Sequence, residues 1–152
     1  MKPLICVACV LLLGSIPAHA FEPTDIIGKW QYDGFNYEGQ RYPNPNPNLI
    51  LTFTFTNDGK SQLIWTRKNE TGFCERTATY QVIGAHLMQK VIWLNPKNAP
   101  ECAKDPDMQP DIQTDTIISI AEPELTFEFS LNGKPFYYIL KRIPSETAPA
   151  FQ

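Results

Sequence analysis

The chain has 152 residues and a net charge of −3, with 43% hydrophobic and 19% charged residues. That length holds one domain around one core, the balance excludes a chain disordered throughout, and the acidic excess argues against nucleic acid or an anionic membrane as the main partner. Fourteen prolines, eight glycines and 12% aromatic residues suggest many turns between aromatic strands, which favours an all-β chain over a helical one.

Residues 1–20 read as an export signal. Lys2 supplies the positive start, residues 4–13 form an apolar run too short to span a bilayer comfortably, and Ala18-His19-Ala20 is a small-x-small cleavage site. A single anchoring helix is the lesser alternative. The expected organisation is a signal over 1–20 and one domain over 21–152, secreted or periplasmic, with no membrane insertion. Cys6 and Cys9 leave with the signal. Cys74 and Cys102 remain, and an exported pair is most simply a disulfide. It closes a loop of about 29 residues, worth about 3–4 kcal/mol in the chain-entropy model. Two cysteines and His86 lack an obvious fourth zinc ligand, so no metal and no cofactor is expected.

Beyond the signal the apolar period is 2, not 3.6. A short lead over 23–27, read as one helical turn, opens the first predicted strand, 28–35. Trp30 and Tyr32 lie on one of its faces, and Lys29, Gln31 and Asp33 on the other. The second, 48–56, alternates Leu49, Leu51, Phe53 and Phe55 with Ile50, Thr52, Thr54 and Thr56. Strands follow over 61–68, 73–83, 86–94 and 113–121. The seventh, 124–131, sets Leu125, Phe127, Phe129 and Leu131 against Thr126, Glu128 and Ser130, and the eighth covers 135–143. Asn57-Asp58-Gly59-Lys60 and Asn132-Gly133-Lys134 are hairpin signals, Gly84-Ala85 permits a tight return, and Pro123 breaks the chain between strands six and seven.

Eight sequential strands joined mostly by short hairpins predict an eight-stranded up-and-down antiparallel β-barrel with one disulfide, which leaves no free edge on such β-prone segments. A two-sheet sandwich is the rival, and it normally needs a long crossover. Alternate connections of such a barrel share an end. The long ones, 36–47 and 95–112, fall together at one end, and the other end is uniformly tight. Cys74 and Cys102 both fall at the loop-rich end, as a bond between them requires.

Gly28-Lys29-Trp30 opens the first strand at the tight end, and Lys141-Arg142 closes the last strand there. A tryptophan can plug the barrel floor, with a cation over its indole face. In these residues the sequence resembles the lipocalin (calycin) superfamily, with its Gly-x-Trp on the first strand and a basic residue after the last. The resemblance spans about residues 24–143 in architecture and only a few residues in motif. It assigns structural roles to Gly28, Trp30 and Arg142. It departs from the family at 121–124, which reads Ala-Glu-Pro-Glu where a Thr-Asp-Tyr type turn is usual, and after 143, where the remaining residues leave no room for the usual helix. The resemblance implies a minimal exported barrel that binds a small, mostly apolar ligand, an analogy because fold does not fix function.

On the face formed by Cys74, Arg76, Ala78, Tyr80 and Val82 in strand 73–83, Arg76 points inward near the open end if that apolar face does. Trp65, Tyr80, Gln89, Trp93, Phe127 and Tyr138 are then its expected neighbours in a ligand site. A buried arginine needs a carboxylate or a ligand anion, so an apolar molecule with an anionic head group is the expected ligand. The competing reading, favoured by the frequency of bulges near barrel rims, puts a bulge in this strand and Arg76 on the surface. In a further alternative, aromatic side chains fill the whole barrel.

Glu101, Asp105, Asp107 and Asp111 read as a solvated acidic loop, without the glycine and bidentate glutamate of a calcium loop. Pro43-Asn44-Pro45-Asn46-Pro47 is stiff and extended, Asn69-Glu70-Thr71 is a glycosylation sequon, and His86 is a turn residue. One mature histidine and paired cysteines argue against nucleophilic hydrolysis, and no carboxylate pair stands out for glycoside chemistry. The sequence therefore predicts a monomeric small-molecule binder and not an enzyme, with a protein-binding or inhibitor module acting through its rim loops as the alternative.

Overall fold

The structure is a computed structural model and describes residues 22–144. The predicted signal at 1–20 lies outside the described residues. Nine strands follow in chain order: β1 Gly28–Tyr37, β2 Gln40–Pro43, β3 Leu49–Phe55, β4 Lys60–Arg67, β5 Phe73–Ile83, β6 His86–Leu94, β7 Gln113–Ala121, β8 Glu124–Leu131 and β9 Lys134–Ile143. Two short 3-10 turns, Pro100–Lys104 and Pro106–Met108, lie between β6 and β7.

Each strand from β3 to β9 pairs antiparallel with its sequence neighbour, and β9 returns to β1. Eight strands thus close the expected cylinder, and closure satisfies the edges that these alternating apolar segments would otherwise expose. The inner face of the cylinder carries Trp30, Phe53, Phe55, Leu63, Leu87, Leu125 and Leu140, all buried. The Cys74–Cys102 disulfide ties β5 to the first 3-10 turn.

The short ninth strand, β2, is a departure from the predicted long loop over 36–47. β1 runs two residues beyond its expected end, and its second half pairs with β2 while its first half pairs with β3. Gly34 makes this possible. A Cβ there would collide with the Tyr42 carbonyl on β2, so the sequence tolerates the close backbone approach only at a glycine. The lead before β1 is a pair of backbone turns, with Asp25 N–H bonded to the Glu22 carbonyl and Ile27 N–H to the Thr24 carbonyl.

The tight end is built around Trp30, which is fully buried and donates its indole N–H to the Ile26 carbonyl at 2.7 Å. The Arg142 guanidinium lies over the ring, 3.9 Å from its centroid, and donates to the Ile27 and Asp25 carbonyls and to Glu122. Gly28 has φ +129°, and a Cβ there would stand 2.6 Å from Arg142 Nη1. Its glycine therefore permits both the backbone turn and the seat of the cation.

Two bulges decide which side chains face inward. On β1 the register shifts between Tyr32 and Gly34, opposite β9, so Tyr32 and Phe35 share the inner face although they are three residues apart. On β6 the pairing passes from Val91–Ala78 directly to Trp93–Thr77, which leaves Ile92 as the extra residue. Trp93, expected inside, is therefore 45% exposed on the outer face beside Thr77. The bulge considered possible in β5 lies on its partner instead, and β5 keeps its alternation at Arg76.

Candidate functional site

Arg76 is the outlier of the barrel interior. It projects from β5 to the inside, and only 3% of it is exposed. Its Nε and Nη1 are sealed from solvent and have no hydrogen-bond partner among the described residues. Burial pulls its pKa down from the ordinary arginine value, against the through-space attraction of Asp107 and Asp105. At two of its nitrogens the guanidinium loses hydration that no described residue replaces with a hydrogen bond, and an isolated buried ion costs several kcal/mol.

Beside it is a cavity of about 70 Å³. Arg76, Gln89 and the hydroxyl residues Thr114 and Thr116 supply its polar wall. Leu51, Phe53, Leu63, Phe127 and Leu140 supply the apolar one, and Tyr32, Phe129, Tyr138 and Asp107 complete it. Such a space exceeds what one water needs and is well below the roughly 300–1,000 Å³ of a drug-sized site. The interior is therefore mostly filled by side chains, with a small residual pocket against the arginine.

The polar wall is ordered from below. Gln89, buried on β6, donates from Nε2 to the Ser61 hydroxyl of β4 at 2.7 Å. The other side is aromatic. Tyr138 on β9 stands edge-on to Tyr32 (5.2 Å between ring centroids) and to Phe129 (5.0 Å). Phe136 meets both Tyr138 and Phe35, and Phe35 stacks on Tyr42. Tyr42, Phe129 and Tyr138 remain 39–40% exposed, so the aromatic wall continues to the open end. Burial, with Tyr138 beside it, raises the Tyr32 phenol to about 12. Tyr138 is also raised, first by burial and then by Asp107 and Asp105.

The segment between β6 and β7 folds back towards this mouth. Met108 and Cys102 are buried, and the Asp105 side chain accepts from the Asp107 backbone N–H at 2.9 Å. Asp107 is open to solvent as a residue, yet its carboxyl borders the cavity, where lost hydration raises its pKa despite the attraction of Arg76. The acidic loop is thus more than a solvated excursion, because one of its carboxylates, Asp107, borders the interior cavity. Asp111 pairs instead with Lys90, 3.5 Å away.

Of the expected neighbours of Arg76, the barrel brings Gln89, Phe127 and Tyr138 to the same cavity. Tyr80 faces inward but lies lower, its ring edge-on to Phe55 and its hydroxyl donating to the Thr56 carbonyl of the β3–β4 hairpin. Trp65 borders a different feature, an open cleft of about 640 Å³ between the β4–β5 connection and the segment around Lys97 to Glu101. There Arg67 lies over its ring at 4.9 Å. Trp93 is outside. Tyr32, Phe129 and Asp107 were not among the expected ligand neighbours. Tyr32 shares a strand face with Trp30 and Phe129 shares one with Phe127, so period 2 alone could have added them. Asp107 lies in a loop, and no pattern points it at the mouth.

Neither protein-family models nor curated proteins match the chain. Among solved structures it is similar to a lipocalin-like protein from Bacteroides uniformis, with a TM-score of 0.55 and 18% identity over 78% of this chain and 99% of that one. With the closed eight-stranded antiparallel barrel, this gives the chain a lipocalin-like fold.

Proposed function

We propose that the protein is an exported binder of a small ligand, held at the open end of the barrel with its anionic group on Arg76 and its apolar part against Tyr32, Phe127, Phe129 and Tyr138. One observation carries this reading: a guanidinium with two sealed, unpartnered nitrogens borders the interior cavity. Buried donors are almost always paired, and an exception calls for a role. An anion there supplies the missing acceptors and the missing charge together. The residual volume favours a short molecule over a long alkyl chain. The disulfide fits an oxidising compartment, and no described helix is long and apolar enough to cross a membrane. The protein acts as a binding monomer and not as an enzyme in this reading.

The test is a thermal-shift and calorimetric series with straight-chain carboxylates from acetate to hexanoate. Binding that disappears in Arg76→Met supports the reading. A native protein that binds no carboxylate, with or without an added ammonium group, overturns it.

A second reading is favoured by the small interior and the broad outer cleft beside the disulfide. In it the protein binds another protein through its rim segments. Competition of a pulled-down partner by Trp65→Ala and Lys97→Glu variants, with Arg76→Met neutral, would select it.

A further inference from the structure

We propose that the ligand is a compact zwitterion, its anionic group on Arg76 and its cationic group between Asp107 and the tyrosine rings. The inference rests on the reading above and specifies its chemistry. It starts from the arrangement of charge. Arg76 lies inside, and two of its nitrogens have no hydrogen-bond partner among the described residues. Asp107 borders the same cavity, and Asp105 lies behind it, held by its bond to the Asp107 N–H. Both carboxylates act on Arg76 through space, but neither forms an ion pair with it. One positive and one negative group, Arg76 and Asp107, therefore border the same cavity, with a second carboxylate on the loop behind Asp107.

A simple anion entering this cavity meets the Asp107 carboxylate in a protein with net charge −3. Like charges at close range disfavour it, and the low-dielectric wall strengthens the repulsion. A simple cation would satisfy the mouth but would face the buried guanidinium. A molecule bearing both charges meets each with its opposite and leaves the local balance unchanged. The aromatic wall adds to the cationic end. Tyr138 and Tyr32 stand edge to face at 5.2 Å beside the mouth, and tyrosine faces attract a desolvated ammonium. The cavity of about 70 Å³ limits the spacer to a few carbons.

Titration calorimetry with the ω-amino acid series from glycine to 6-aminohexanoate, and with butyrate and butylammonium as singly charged controls, tests the assignment. The expected result is one member of the series binding at least about tenfold more tightly than either control, a difference of about 1.4 kcal/mol. Asp107→Asn should abolish that preference, leaving butyrate binding unchanged or improved. Arg76→Met should abolish carboxylate binding altogether, and Arg76→Lys serves as the charge-preserving control should the methionine variant not fold. Butyrate binding as well as every zwitterion overturns the zwitterion assignment and leaves the anion-binding reading standing. Failure of every carboxylate to bind overturns both.

Discussion

Replacing Arg76 by methionine is expected to make the ligand-free protein more stable. The unbranched methionine side chain occupies much of the space of the arginine stem, so packing against Leu63 and Phe127 changes little. The substitution removes two sealed donors, Nε and Nη1, that have no partner. A buried unsatisfied polar group costs about 1–3 kcal/mol. Loss of the attraction from Asp107 and Asp105 offsets part of the gain. A net stabilisation of about 2 kcal/mol follows, and at about 4 °C per kcal/mol for a domain of this size the melting temperature should rise by about 8 °C. Urea unfolding at neutral pH, followed by tryptophan fluorescence, measures it directly. The midpoint should move up with the slope unchanged, since the surface exposed on unfolding is nearly the same. A residue that lowers stability while serving a ligand is the signature of a functional position. A lower midpoint for Arg76→Met would refute the reasoning, because it would mean that the guanidinium is a satisfied structural anchor.

Gly28→Ala should destabilise by about 2 kcal/mol, since it forces a positive φ on a side chain and drives its Cβ against Arg142. Combined with Arg142→Ala, the two losses should fall short of additive, which a double-mutant cycle in urea would detect. Reducing the Cys74–Cys102 bond reopens a loop with a sequence separation of 28 and should cost about 3–4 kcal/mol. Hydrogen exchange should then quicken first in the segment 100–108. Tyr32 should ionise near pH 12, above the ordinary value of 10, in an ultraviolet titration compared with Tyr32→Phe. Because folding favours its neutral form, its contribution to stability is complete below about pH 10 and is lost as the pH rises towards 12.

The barrel was readable because its strands are short alternating segments punctuated by turn residues. Five predicted strands have their observed bounds or differ by a single residue at one end: 73–83, 86–94, 113–121 and 124–131 coincide, and 135–143 starts one residue late. The local pattern that set those bounds is the same one that places side chains in or out. It failed where the count of residues between strands changed. The extra residue at Ile92 reversed Trp93, and nothing in His86 to Leu94 announces it, because Ile92, Trp93 and Leu94 are all apolar. β2 was missed because Gln40-Arg41-Tyr42-Pro43 has no apolar alternation. Its pairing depends on Gly34 across the gap and on Arg41 reaching Asp33 and Glu124. The inward arginine followed from parity alone, whereas its distance from Asp107 depends on how the two 3-10 turns pack. Packing of a loop by a disulfide and one buried methionine has no period to read.

The most direct measurement is the Arg76 side-chain Nε–H resonance in a nitrogen-15 spectrum, assigned by its loss in Arg76→Lys. Adding a saturating short carboxylate or ω-amino acid should move that resonance strongly downfield, as the bound anion becomes its acceptor, and the Tyr32 and Tyr138 ring signals should shift with it. An Nε–H signal that stays in place while signals around Trp65 and Lys97 respond would contradict the account and transfer the binding site to the outer cleft.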